Sequence, residues 1–365
     1  MNHVTKKIQF IITGLGPGGA ERQLTGLASM LKEKGYTVQV CWYTNINFYE
    51  QVLLDNGIDC KRLYTSNHLK KIKNIWQAIK SFNPDVVISF LDGPNTICPY
   101  LKWLTRGKYK LIVSERNTTQ RLDRRSRLRF VGYRFADHIV PNSGSQTRFI
   151  GTHYPQYKDK LSTITNFTDL ERFQPTEKKA GTTLRGMVAA RVTEAKNVLR
   201  FIDAVSIAHD KGANIDITWF GQPFYKEYGE QCHKLIEDKN MSQYFHLLPA
   251  TKQIVDEYKK SDVVILPSHF EGCPNVVCEA ISCGLPVLCS DVCDNSTLVH
   301  NGVNGFLFDK NDESSMAETI VKFCNLNSDE RRSMGMASRK LAESILSKDR
   351  FVNQYINLIN ELLKS

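Results

Sequence analysis

"KIQFIITGLGPGGAERQLTGLASMLKEKG", residues 7–35, sets the pattern for the whole chain. A short apolar, β-branched run ends in glycines, and a helical periodicity follows until Gly35 closes it. That is a buried strand, a tight turn and a helix. The same order recurs. "YTVQVCWY" and "PDVVISFL" read as strands with the helix "HLKKIKNIWQAIKSF" between them, then come "YKLIVSER" and "DHIVPNS", with "STITNFTD" as a closing strand. Strands alternating with helices at this spacing predict a parallel, doubly wound α/β sheet.

Further along, "LERFQPTEKKAGTTLRG" (170–186) is polar, carries Pro175 and two glycines, and reads as a linker. A second series follows it: "GMVAARV", "NVLRFIDAVSIAHDKG", "IDITWFG", "YFHLLP", "DVVILPS", "LPVLCSD" and "GFLFD". Two α/β halves imply a cleft between two sheets, with ligands outside the carboxyl ends of the strands. A length of 365 residues fits two domains. The expected division is 1–172, 173–345, and a last helix, 346–365, packing back on the first domain.

Composition is ordinary for a globular chain, at 41% apolar and 24% charged. No apolar run is long enough to span a bilayer, and "MNHVTKKIQFIITGLG" lacks a signal-peptide pattern, so a cytoplasmic location is expected. Five of the ten cysteines (Cys273, Cys278, Cys283, Cys289, Cys293) fall close together without a C-x-x-C spacing. They read as small buried hydrophobes rather than as a metal site or disulfides. Charge is uneven. Residues 1–172 hold 26 Lys+Arg against 13 Asp+Glu, a net of +13; the rest holds 22 against 25, a net of −3. The two halves are therefore expected to meet different partners.

Three stretches carry chemistry. In "TGLGPGGAERQL", Gly16, Gly18 and Gly19 let backbone approach an anion at a helix N-terminus. Pro17 departs from the dinucleotide turn, no acidic residue closes the second strand, and G-K-[ST] is missing, which disfavours a nicotinamide site and excludes a P-loop. In "AARVTEAKN", Arg191 and Lys196 stand across a strand-to-helix turn where both can reach one anion. In "HFEGCPNVVCEAISCGLPVLCSD" (269–291), Pro274 and Asn275 begin a short helix that Gly284 ends, and Glu271 and Glu279 bracket its start. Carboxylates placed there can accept bonds from sugar hydroxyls, the helix dipole favouring the charge.

"ARVTEAKN", "SHFEGCPNVVCEAISCGLPVLCSD" and "LVHNGVNGFLF" together resemble the donor-binding region of glycosyltransferase family 4, and "GGAER" fits its N-terminal pattern. The resemblance implies a GT-B architecture of two Rossmann-like domains facing across a cleft, and retaining transfer from a nucleotide sugar. It implies that Arg191 and Lys196 hold the donor diphosphate, with the glycine loop closing on it. By the same resemblance Glu279 binds the ribose, while Glu271 and the amides of Gly272, Cys273, Pro274 and Asn275 (proline supplying only its carbonyl) surround the transferred sugar. No D-x-D occurs, so no metal and no cofactor is expected beyond the donor, most simply a UDP-sugar. Front-face attack, with the leaving phosphate taking the acceptor's proton, is likewise carried over.

The family's usual acceptor histidine is missing from "ISFLDGPN", which offers Asp92 and Asn95; "VSERN" adds Glu115, Arg116 and Asn117 as acceptor candidates. In "HLKKIKNIWQAIK", Leu69, Ile72, Trp76 and Ile79 share one face while Lys70, Lys71, Lys73 and Lys80 lie away from it. In "QRLDRRSRLRFVGYR", six arginines alternate with Leu122, Leu128, Phe130 and Tyr133. With the +13 half, these helices imply a basic surface for anionic headgroups at the inner face of the membrane. No nucleic-acid module appears. The expected activity is hexosyl or N-acetylhexosaminyl transfer to a saccharide or lipid-linked saccharide for capsule or O-antigen. The alternatives are a non-catalytic nucleotide-sugar binder and a GT-B-like epimerase.

Overall fold

Strand β1 (Lys7–Ile12) begins a six-stranded sheet in the computed structural model, which describes residues 5–176, 181 and 183–364. The chain divides into two units, residues 1–166 with 348–365, and residues 167–347. In the first unit β1 is followed by β2 (Thr37–Trp42), β3 (Asp59–Arg62), β4 (Val86–Phe90), β5 (Lys110–Glu115) and β6 (His138–Pro141). Between and after them run α1 (Gly19–Glu33), α2 (Glu50–Asp55), α3 (His68–Phe82), α4 (Asp92–Thr105), α5 (Arg124–Gly132) and α6 (Gly144–His153). The order is β3-β2-β1-β4-β5-β6, all parallel, with Phe10 paired to Val40 on one side and Ile88 on the other. The strand order reverses between β1 and β4, and ligands of such sheets lie at that switch point.

The second unit repeats the plan. Its strands are β7 (Leu184–Ala189), β8 (Ile215–Phe220), β9 (Phe245–Leu248), β10 (Val263–Leu266), β11 (Val287–Ser290) and β12 (Gly305–Phe308). Its helices are α7 (Val198–Asp210), α8 (Lys226–Asp238), α9 (Ile254–Lys260), α10 (Asn275–Ser282), α11 (Asn295–Leu298), α12 (Glu313–Cys324) and α13 (Ser328–Ile345). The order β12-β11-β10-β7-β8-β9 is the same arrangement, with the switch between β7 and β10. Both faces of the sheet are covered, so successive residues enter opposite cores. Val263 and Ile265 pack with Phe201 and Phe323, while Val264 and Leu266 pack with Val277 and Ile281.

The last helix, α14 (Lys348–Lys364), belongs to the first unit, where Tyr355 is fully buried and its hydroxyl lies 3.3 Å from Ser114 Oγ on β5. The boundaries fall at 166/167 and 347/348 rather than 172/173 and 345/346. Phe173 is the reason: it is buried in the second core, and Arg339 donates to the Phe173 carbonyl at 2.9 Å. The expected linker is correspondingly shorter, and residues 177–180 and 182 within it lie outside the described residues.

Two sequence expectations fail locally. "STITNFTD" is no strand; Ser162 and Ile164 donate to Ile139 and Pro141 beside β6, but no ladder forms. On α3 the buried residues are Ile75, Ala78 and Ile79, all from its midpoint onward, whereas Leu69 and Ile72 near its start are exposed.

Candidate functional site

The second unit's switch point is built from three loops. After β7, the segment Ala190–Val192 is held against the segment after β8: Ala190 N–H bonds Phe220 O at 3.1 Å and Val192 N–H bonds Gln222 O at 3.0 Å. Phe224 N–H returns to Val192 O at 3.1 Å, which sets the Phe224 ring 5.7 Å from the Arg191 guanidinium. Gly221 allows this approach, because a Cβ there would collide with the Ala190 carbonyl. Arg191 is exposed over that ring, a cation on an aromatic face.

A short turn then carries Lys196. Asn197 follows it in the left-handed region at φ 59°, a conformation asparagine tolerates better than most residues. Its buried amide donates to Lys310 O at 2.7 Å, Lys310 Nζ donates to His269 O at 2.9 Å, and His269 N–H bonds Ala195 O at 3.0 Å. That ring of bonds brings the two loops together. Lys196 Nζ meets Glu271 Oε1 as an ion pair whose side chains are 22% and 12% exposed, so the pair is half-sheltered yet reachable. His269 is held below the ordinary imidazole value, by burial first and then by Lys310 and Arg200, which keeps one more positive charge out of the cluster.

The third loop runs from Gly272 into α10. Pro274 takes the N-cap position with ψ 112°, and no side chain caps the helix. Gly284, at φ 65°, follows its end, as the sequence predicts. Glu279 is the fifth helical residue and is buried at 6% exposure; Tyr258 Oη on α9 donates to its Oε2 at 2.8 Å. A carboxylate buried against a phenol donor is fixed in direction, which suits recognition of a diol. Cys273 Sγ lies 3.7 Å from Cys278 Sγ, and all ten cysteines are free thiols.

At the first unit's switch point, the loop after β1 leads into α1, whose N-cap, Gly18, offers no side chain to cap the helix. A Cβ at Gly14 would collide with Thr44 Oγ1, and Gly16 and Gly18 lie beside Ile46 and Glu21. Glu21, in the first turn, is raised above the ordinary carboxyl value by burial, with its backbone bond opposing.

The acceptor candidates do not share one environment. Leu91, between β4 and α4, has φ 72° and ψ 163°, a region almost confined to glycine, and such backbone costs about 1–3 kcal/mol. It presents Asp92, which is exposed and accepts from Asn117 Nδ2 at 3.3 Å. Arg116 is buried and donates to Asn166 at 2.5 Å. Asn95 and Glu115 are fully buried: Asn95 donates to Ser114 O at 2.9 Å and to Glu115 at 3.4 Å, and Tyr133 donates to Glu115 Oε1. Both are out of an acceptor's reach in this structure: Tyr133 and Arg129 close over Glu115, and Asn95 accepts from Ser89 Oγ at 2.7 Å on its other side. Arg129 Nε stands 3.1 Å from Glu115, and its Nη1 reaches Asp92 at 2.8 Å. Burial, outweighing Arg129, pushes Glu115 up to about 7.

Sequence reasoning missed Asn197, Lys310, Tyr258, Phe224 and Arg129. Only Asn197 had a local signal, an asparagine directly after a turn. Arg129 was one of six arginines in a run, and nothing in the run marks it as the buried one. Among the described residues no helix is long and apolar enough to cross a membrane, and no group of three or more His, Cys, Asp or Glu is placed to hold a metal.

Two six-stranded sheets in Rossmann order, each with polar groups gathered at its switch point, define the two-domain GT-B class. Solved structures agree in fold: a glycosyltransferase from Rickettsia africae (TM-score 0.86, 17% identity, all of both chains) and Anabaena HepE in complex with UDP and glucose (TM-score 0.86, 16% identity, 98% of this chain and all of that one). The sequence model "Glycosyltransferase Family 4" matches residues 17–172, and "Glycosyl transferases group 1" matches 171–341. The chain belongs to glycosyltransferase family 4 and is a transferase.

Among curated relatives, a Campylobacter jejuni N-acetylgalactosaminyltransferase acting on a GalNAc- and diNAcBac-bearing PP-undecaprenol is 28% identical over 84% of this chain and 83% of its own. The Escherichia coli UDP-Gal:α-D-GlcNAc-diphosphoundecaprenol α-1,3-galactosyltransferase is 31% identical over 45% of each chain, so the match spans under half of that enzyme. Staphylococcus aureus CapM, a capsular polysaccharide glycosyltransferase, is 26% identical over 48% of this chain and 45% of its own.

Proposed function

We propose that this enzyme transfers a hexose or N-acetylhexosamine from a UDP-sugar to a lipid-linked saccharide during assembly of a surface polysaccharide, at an anionic membrane face. The observation that carries the reading is the Lys196–Glu271 pair set beside the uncapped start of α10. A departing nucleoside diphosphate gains negative charge as the sugar–phosphate bond breaks, and preformed cations in a sheltered site stabilise that charge. Lys196 and Arg191 supply it without a metal. Glu279, fixed by Tyr258, takes the ribose hydroxyls, and Glu271 with the 272–275 segment orients the sugar. The anomeric carbon exchanges its bond to the diphosphate oxygen for one to the acceptor oxygen, on the same face, and the acceptor's proton passes to the leaving phosphate. Relatives that act on undecaprenol-linked acceptors support the acceptor class.

The test is release of nucleotide from a panel of UDP- and GDP-sugars in the presence of an undecaprenyl-diphosphate saccharide. Turnover with a UDP-sugar, retained α linkage in the product by NMR, and loss of turnover in Lys196→Ala are expected. Turnover with GDP-sugars alone, inverted product, or hydrolysis unaffected by the acceptor would overturn it.

A further inference from the structure

One helix of the first unit has two faces with different work. The inner face of α5 supplies Arg129 to Glu115 and Asp92, and buries Phe130. Its outer face shows Leu128 at 55% and Val131 at 44% exposure, and Arg124 and Arg127 are exposed on the same helix. Apolar and cationic residues at this helical spacing share one outward stripe.

The stripe continues onto α4. Tyr100 Oη donates to Leu128 O at 2.8 Å, and its ring packs on Phe135 at 5.9 Å. Phe135 in turn stacks on Trp103 at 5.1 Å, and Trp103 is 56% exposed. A Cβ at Gly132 would meet the Tyr100 ring at 2.8 Å, so the glycine lets the two helices close up. An exposed tryptophan beside exposed leucine and valine, edged by cations, is costly against water and has few other uses.

Charge says what covers it. The first unit holds 28 Lys+Arg against 13 Asp+Glu (residues 1–166 and 348–365), a net of +15. Segment 118–135 alone has six arginines and one acid, Asp123, which already caps α5 through Ser126. Arg124 and Arg127 have no carboxylate within ion-pair distance among the described residues. A second copy would bring the same positive field and be repelled. An anionic lipid surface attracts it and accommodates tryptophan at the headgroup level, with arginine chains reaching the phosphates.

We propose that the outer face of α5, with Trp103 of α4, is the surface by which this enzyme seats on anionic bilayers, Leu128, Val131 and Trp103 entering the interface and Arg124 and Arg127 meeting headgroup phosphates. It rests on the reading of a membrane-borne acceptor. It also gives that reading a geometry, since the same helix that touches lipid holds Asp92 by Arg129.

Sedimentation with phosphatidylcholine vesicles, with and without phosphatidylglycerol, at low and high salt, tests it on the full chain without donor or acceptor. Binding only to the phosphatidylglycerol vesicles, released by salt, is expected. Arg124→Glu/Arg127→Glu should weaken it by roughly 25-fold or more, at about fivefold for each cation near the surface. Leu128→Ser/Val131→Ser keeps the charge and should weaken binding as well, and tryptophan emission should shift to the blue on vesicles in wild type but not in Trp103→Phe. No binding, binding indifferent to both double variants, or self-association that the serine variant abolishes would overturn the proposal. UDP stabilisation of the same variants separates the readings: retained, only the surface falls; absent from every form including wild type, the donor reading falls instead.

Discussion

The two units share a strand order and differ in how they use its switch point. In the second, the chain after β7 and the chain after β10 are tied by backbone bonds, and charged groups stay within reach of solvent: Lys196 on Glu271, Arg191 over Phe224. In the first, Glu115 and Arg129 lie buried while Asp92 stands exposed. A nucleoside diphosphate offers the same anion and the same diol whatever sugar it carries, so a site for it can be assembled from a few residue types at set spacings. On the proposed reading the first unit takes the acceptor saccharide, which varies, and packing shapes that unit instead.

The largest effect that would sharpen this contrast concerns the buried pair. Arg129→Ala leaves Glu115 without its cation in a dry site, so the first unit should lose about 3–5 kcal/mol of stability in urea unfolding. A loss confined to activity would mean the pair is functional rather than architectural. Next, Lys196→Ala should lower kcat/KM by about 10²–10³, through kcat, with little change in melting temperature, because the cation acts on charge that develops in the transition state. A matching fall in stability would erase the difference between the two units.

Smaller effects follow around Glu279. Glu279→Gln should raise the donor KM by roughly 10- to 100-fold while kcat falls less, and Tyr258→Phe, which frees the carboxylate's direction and removes a bond to Val276 O, by about fivefold. Steady-state kinetics at saturating acceptor separates these. Least of all, Glu115 predicts a pH trend. Its folded value, about 7, lies above the ordinary 4.5, so between these values the folded chain holds a proton that the unfolded chain releases. Stability from this group is therefore present below about 4.5 and is lost as pH rises toward 7. Melting temperature measured across that window should fall less steeply in Glu115→Gln than in wild type.

Legibility followed the same division. Both parallel sheets could be read from alternating periodicities except for the polar edge strand β3, whose "DCKR" carries no apolar pattern, and α3 spans the residues its pattern predicts. So does α10, from the turn at Pro274 to the glycine at 284. What escaped depended on partners distant in sequence. Lys196 and Glu271 stand 75 residues apart, and spacing cannot say that they meet. Asn95 and Glu115 look like exposed strand-end polar residues until they bond each other and Arg129 and Tyr133, from an arginine-rich segment, fold over Glu115. "STITNFTD" has β-branched residues and lies along the edge strand β6, but its pairing there stops at an isolated bridge between Ile139 and Leu161. Leu69 and Ile72 keep a helical apolar spacing on a turn that nothing covers, and periodicity reports a face without reporting its partner. Phe173 shows the same limit, a core residue inside a stretch whose composition reads as linker.

Titration calorimetry of UDP into wild type, Lys196→Ala and Glu279→Ala is the most direct test of the donor site. The expected result is one site per chain in wild type, with affinity reduced by roughly tenfold or more in each variant, the cost of losing a hydrogen bond or ion pair to a charged ligand group. Equal affinity in all three proteins would place the nucleotide elsewhere and contradict the account.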